Sequence, residues 1–274
     1  LIQLYGKRWE VGSSNDNLGL PLMTFESPEP KARNTVAEVY ELINEDLDKA
    51  INLLDGYHRF NKSHIDQSVA MGFKARVLLV QEQWEAAARM ADRAMKDYSF
   101  MSHEQHYEGY NDYNNPEWMW GHKIGDDQKL DFASFFAYMG YNYNSRGIKE
   151  APRVINRLLY DKIADTDVRK GKLWIPDGAT NPSVEVPPGG IKANYMHQKF
   201  RAESASSSNG CVPCMRVPEM YLIAAEGYAK AGSGTLDLAR ERLYSLQKSR
   251  DPDYVRSTST APELIEEILI TRRV

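Results

Sequence analysis

Six residues within one stretch of nine, Tyr138, Tyr141, Asn142, Tyr143, Asn144 and Arg146, bring together the groups that hold a sugar. A sugar ring has an apolar C–H face that packs on an aromatic side chain, and a rim of hydroxyls that amides and guanidinium groups hydrogen-bond. These residues close a longer aromatic segment. From Tyr107 to Tyr143 the chain places six of its 16 tyrosines, with Trp118, Trp120, Phe132, Phe135 and Phe136, among Asn111, Asp112, Asn114, Asn115, Asp126 and Asp127. An extended peptide would use the same rings, with the asparagines bonding its main chain. The segment therefore reads as a binding surface for an oligosaccharide or a peptide. Part of the ring set must cover neighbouring helices, because large aromatic side chains are mostly buried. Changing Tyr141 or Tyr143 to alanine is expected to weaken binding and leave stability nearly unchanged.

No other group of residues reads as a catalytic, cofactor or metal set. His103-Glu104-Gln105-His106 lacks the His-Glu-x-x-His spacing of a zinc site and a third ligand nearby. Asp126-Asp127 with Asp131, and Asp165 with Asp167, lack the turn glycine and distal acid of a calcium loop. Asp167 with Arg169 reads instead as a structural polar pair. Cys211 and Cys214 are the only cysteines; their Cys-Val-Pro-Cys spacing fits buried thiols, a strained local disulfide, a redox pair or half a metal site. A structural zinc would need two further ligands, and no βαβ unit precedes the pair as a thioredoxin-like motif requires. Gly-x-Ser-x-Gly, phosphate-loop and dinucleotide fingerprints are missing, so acyl transfer and nucleotide chemistry have no motif. Glycosidase action needs two carboxylates across a cleft, which spacing alone does not locate. The expectation is a binding protein, not an enzyme.

A net charge of −4 and a pI near 5.9 offer no basic field for a phosphate backbone, which argues against a nucleic-acid partner. The longest wholly apolar run, Met220 to Ala225, is far too short to span a bilayer. No initiator Met, signal peptide or lipidation cysteine stands near Leu1, and the sequence stops at Arg272-Arg273-Val274 inside a helical pattern. Both ends read as cut.

The elements that must position the aromatic segment are helical. Thr35 to Glu38 is a capping box opening an amphipathic helix that ends near Gly56. Asp66 to Gln81 and Trp84 to Tyr98 form a second and third helix, and Ala75, Leu78, Ala87, Ala91 and Ala94 follow the tetratricopeptide pattern of small residues between antiparallel helices. Met215 to Ala231 reads as a helix buried on more than one face. Arg216, Glu219 and Glu226 are expected to share one of its faces as an ion pair, and Gly232 to end it in a left-handed residue. Thr235 to Ser249 and a helix from Pro262 follow. Between the two helical sets, Glu117 to Gly121 reads as extended, Pro152 as the start of a helix through Ile163, and 176–190 as a Pro/Gly-rich loop. In the N-terminal loops, Tyr5, Trp9, Leu20, Leu22 and Phe25 are expected to pin the segment to a core. The domain reading is one unit, 1–274, with a helical part at 35–98, a loop-rich ligand-binding insertion at 99–214 and a C-terminal hairpin at 215–274.

Four stretches, in order, resemble the SusD/RagB family of nutrient-binding outer-membrane lipoproteins of the Bacteroidetes. They are Thr35–Ile43 with Asp46–Ala50, Ala70–Leu79 with Trp84–Ala87, Tyr160–Arg169 with its Asp167-x-Arg169, and Met215–Glu226. The last is similar to the family's Arg-x-x-Glu-Met-Tyr-Leu-Ile-x-Ala-Glu. Ile268–Arg273 also resembles the family's Ile-Leu-x-Glu-Arg-Arg, with Thr271 in place of the acid. The resemblance implies an all-α, SusD-like fold of tetratricopeptide-like hairpins with long irregular loops. It further implies a non-enzymatic binder at the cell surface, held to the outer membrane by a lipid anchor that this sequence does not contain. The implied partner is a SusC-like TonB-dependent transporter, and the implied cargo an oligosaccharide, or a peptide in the RagB branch. Family members are usually longer. A tetratricopeptide adaptor that binds a protein is the alternative of another class, and the non-repeating 107–190 region argues against it.

Overall fold

Thr35 caps the first long helix as its sequence predicts. Its hydroxyl accepts the Glu38 N–H at 3.1 Å, and the Glu38 carboxylate accepts the Thr35 N–H at 2.8 Å. In this computed structural model, which describes residues 1–24, 26, 29–128 and 130–274, a helical turn α1 (Ile2–Tyr5) precedes that helix, α2 (Val36–Leu53). Trp9, Leu20 and Leu22 pack with Ile2 on Val36, Val39 and Tyr40, as expected, whereas Tyr5 points to solvent at 68% exposure; Phe25 lies outside the described residues.

Helices α3 (Gln67–Val80) and α4 (Trp84–Ala94) form the first hairpin. Ala87, Ala88, Ala91 and Ala94 are fully buried, and the small side chains let the two helix backbones come close. Helix α4 stops at Ala94, short of the expected Tyr98, because Met95 to Tyr98 closes as a turn with the Tyr98 N–H on the Met95 carbonyl.

The chain then leaves the helices. Strand β1 (Trp118–Ile124) is followed by short helices α5 (Phe135–Met139), α6 (Arg146–Glu150) and α7 (Arg157–Tyr160), and by strands β2 (Trp174–Ile175) and β3 (Met196–His197). The helix expected from Pro152 to Ile163 shrinks to α7. Val154 and Ile155 are instead extended, bridging Met196 and bonding the Tyr195 carbonyl, which leaves only Asn156 to cap the helix. Strand β4 (Gly210–Arg216) pairs antiparallel with β1. It begins at a glycine because φ is +145° there and a Cβ would stand 2.6 Å from the Asn111 Oδ1 and 2.7 Å from Phe136.

Strand β4 runs straight into α8 (Val217–Ala231), so Met215 and Arg216 belong to the strand and not to the helix. Eleven of its residues are buried, from Val217 to Ala229, against α3, α4, α9 (Leu236–Lys248) and α10 (Ala261–Arg273). This is the core of the fold: α8 lies among four helices, and Met119 and Met215 join it from the strands.

The ion pair expected within α8 does not form. Arg216 is extended backbone ahead of the helix and bonds Glu117 at 2.6 Å; Glu219 holds Arg76 of α3 at 2.6 Å; Glu226 holds Lys230 and Arg272 at 2.7 Å each. Each charge therefore ties α8 to other elements. Gly232 has φ +133° and ψ 178°, outside the left-handed helical region, and the Thr235 hydroxyl donates to the Tyr228 carbonyl at 2.7 Å to finish the helix.

Candidate functional site

Two short capped helices set the geometry of the aromatic segment. The Ser134 hydroxyl accepts the Ala137 N–H at the start of α5, and Ser145 does the same for Ile148 at the start of α6. The Ser145 hydroxyl also donates to the Ala137 carbonyl at 2.6 Å, which locks the two helices together. Residues 140–145 run between them, tied to the chain's return path. The Tyr141 N–H bonds the Phe200 carbonyl at 2.9 Å and the Asn144 N–H bonds the Ala205 carbonyl at 2.9 Å.

The six sequence-predicted site residues separate into three groups. Tyr138, Asn144 and Arg146 are exposed and line one cavity of about 500 Å³, joined by Phe132, Lys149 and Glu150. Tyr138 at 55% and Phe132 at 68% exposure offer ring faces to solvent, and Arg146 is held by Glu150 at 2.8 Å. Tyr141 is 7% exposed and reaches a second cavity, of about 540 Å³, with Tyr107, Lys172, Glu185 and Gln198. Burial, and then the charge of Glu185, push its phenol up to about 12, so it stays protonated.

Asn142 and Tyr143 lie beneath, each 4% exposed. The Asn142 amide exchanges two bonds with Ala202, donating to its carbonyl at 3.0 Å and accepting its N–H at 2.8 Å, in the manner of a strand pair. Tyr143 packs with Phe136 and Ala202, its ring centroid 6.2 Å from that of Phe132. The expectation that Tyr141 and Tyr143 are dispensable for stability is therefore corrected: both are core side chains.

Lys149 and Glu185 were missed in the sequence, and Phe132 was read only as part of the aromatic segment, not among the six site residues. Phe132 stands six residues ahead of Tyr138 and could have been found as an aromatic outside any helical period; Glu185 sits in the Pro/Gly-rich loop, where nothing marks it. Asp167 and Arg169 pair as expected, at 2.7 Å and both 6% exposed. Cys211 and Cys214 are free thiols whose burial raises their pKa, the opposite of an activated redox pair.

The sequence matches no family model and no curated protein. The structure, in contrast, superimposes on a SusD-like carbohydrate-binding protein from Bacteroides vulgatus over 95% of this chain, with a TM-score of 0.78 and 29% identity. The chain belongs to the SusD-like family. A SusD superfamily protein from Bacteroides thetaiotaomicron matches over the whole SusD-like chain with a TM-score of 0.76 at 22% identity, and a laminarin-binding SusD-like protein over 93% with 0.65 at 16%; these two show the fold alone. The SusD-like chain spans 54%, 60% and 62% of those three structures, little more than half of each. Its helical, tetratricopeptide-like architecture is the one the resemblance implied. Among the described residues no helix is long and apolar enough to cross a membrane.

Proposed function

We propose that this chain binds nutrient oligosaccharides at the cell surface and passes them to a SusC-like TonB-dependent transporter in the outer membrane. The observation that carries the reading is the platform of Tyr138 and Phe132, two exposed rings beside the exposed amide of Asn144 and the guanidinium of Arg146. Ring faces take the C–H face of a sugar, while amide and guanidinium take its hydroxyls. The likeness to a structure described as a SusD-like carbohydrate-binding protein, and to one described as laminarin-binding, supports a glycan. Among the described residues that line the platform the one carboxylate, Glu150, is held by Arg146. A binder is the simpler reading.

Calorimetry against a panel of oligosaccharides and peptides tests the proposal. Binding of at least one oligosaccharide, weakened tenfold or more by Tyr138→Ala, is the expected result. Tight peptide binding with no response to any oligosaccharide would replace it with the peptide-scavenging version. The transporter partnership is tested by affinity capture from native outer membranes, where a TonB-dependent barrel is the expected co-purifying species.

A further inference from the structure

The cavity of about 540 Å³ that Tyr141 reaches shares no residue with the platform, and all of its lining lies between Tyr107 and Gln198 in the chain. Its floor is apolar, made by the buried side chains of Leu173, Ile175 and Val184. Tyr107 stands at its side with 43% of its surface exposed, and the ring is fixed there because its hydroxyl donates to the Val168 carbonyl at 2.7 Å. The rim is polar. Among the described residues the exposed Ser183 hydroxyl and Lys172 ammonium meet no protein partner, while Glu185 shares its charge with Arg201 at 3.6 Å. An apolar floor with a few convergent polar groups is the pattern of a small-molecule site.

The wall at 181–185 belongs to the Pro/Gly-rich loop, and side chains hold that loop in place. The Lys192 ammonium donates to the Asn181 carbonyl at 2.9 Å, and the Asn181 side chain accepts the Ser183 N–H at 2.9 Å. The Gln198 amide exchanges two bonds with the Glu185 backbone, accepting its N–H at 3.2 Å and donating to its carbonyl at 3.0 Å. A wall already set need not be ordered when a ligand arrives. Two stretches of chain run from this cavity to the platform. In the first, Tyr138 lines the platform and Tyr141 the cavity, at most roughly 11 Å of backbone apart. In the second, Val184 and Glu185 line the cavity, and the Ile191 N–H bonds the carbonyl of Lys149, a platform residue, at 2.9 Å. The two sites therefore adjoin.

We infer that this cavity is a second sugar subsite, which takes a further unit of the neutral oligosaccharide held on the platform. The C–H face of that unit lies on Tyr107 and the apolar floor, and its hydroxyls meet Ser183, Lys172 and Glu185. A neutral unit fits a rim that sets one ammonium against one carboxylate. The inference rests on the glycan-binding reading and adds chain length to it: a ligand of several units fills both sites, and a disaccharide fills one.

The test is calorimetric titration of the intact polypeptide with the disaccharide and the hexasaccharide of laminarin, amylose, xylan and mannan. In at least one series the hexasaccharide is expected to bind at least tenfold more tightly than the disaccharide. Tyr107→Ala should remove most of that advantage, and so should Ser183→Trp, which fills the cavity from an exposed position. Should Tyr107→Ala fail to fold, Ser183→Trp alone carries the comparison. Equal binding of both lengths, weakened by Tyr138→Ala, would keep the platform and sink the cavity. A length advantage that both cavity variants leave intact also overturns the subsite, because the further units then lie elsewhere. A length advantage lost in the cavity variants but untouched by Tyr138→Ala would keep the cavity and sink the platform. No binding of any of these sugars overturns both readings.

Discussion

Neighbouring residues of one loop have opposite duties here. Tyr138 faces solvent, so Tyr138→Ala should remove binding area while leaving the melting temperature within about a degree or two, since exposed substitutions usually change stability by under ~0.5 kcal/mol. Tyr143, five residues on, is packed with Phe136 and Ala202. Truncating a buried aromatic leaves a cavity, and Tyr143→Ala should cost about 3–5 kcal/mol in urea unfolding. A loss below ~1 kcal/mol would return Tyr143 to the list of surface residues. The composition of the loop reads as a binding surface, but burial is not legible from it. Asn142 looks like a sugar ligand in the sequence because it stands between two tyrosines. What decides its role is Ala202, sixty positions away, whose backbone it pairs.

At the scale of elements, α8 and α4 approach closely at Gly227. A Cβ on Gly227 would stand 2.4 Å from the Trp84 carbonyl oxygen and 2.9 Å from the Ala88 Cβ, both fixed by helix α4. Gly227→Val should therefore destabilise by roughly 2–3 kcal/mol, since overpacking outweighs any gain in helix propensity. Equal stability of this variant by denaturant titration would show that the helices separate freely. The long helices were legible because apolar period, caps and small-residue spacing are all local signals: Thr35 with Glu38, Asp66 on the Val69 N–H, and the alanines of α4 all act as their spacing indicates. Partner choice was not. Arg216, Glu219 and Glu226 have the right spacing to meet along a helix, yet each finds a counter-charge on an element distant in sequence. The short helices and two-residue strands of the insertion are likewise set by tertiary pairing, as at Val154 and Met196, so no period betrays them.

At the scale of the molecule, two buried histidines set a response to acid. His106, bonded to the Tyr110 hydroxyl, is lowered to about 3 by burial and then by Arg250, Arg169, Arg216 and Lys199; His197 is lowered to about 4 by burial and then by Lys199 and Arg153. Both are neutral in the folded chain. Below their ordinary value of 6.5 the unfolded chain takes up protons that the folded chain refuses, so stability is full above pH 6.5 and falls as pH drops towards 4. By pH 5 each histidine should cost roughly 2 kcal/mol. Urea midpoints at pH 7 and pH 5 should differ accordingly, and His106→Gln and His197→Gln should each flatten the slope. An unchanged midpoint would mean that the two rings reach water.

Residues 125–209, which hold the platform and most of the second cavity, leave the helical core at Ile124 and return at Gly210, two residues that face each other across the β1–β4 ladder. The ends of the insertion are thus pinned side by side, whatever lies between them. The entropy of closing such a loop grows only with the logarithm of its length, about 0.6 kcal/mol for each doubling. Lengthening, shortening or replacing the insertion therefore burdens the helices very little, while every such change remakes the platform of Phe132 and Tyr138. A fold joined in this way tolerates change in one place: the contents of the loop can be rewritten, and the α3, α4, α8, α9 and α10 core goes on folding as before.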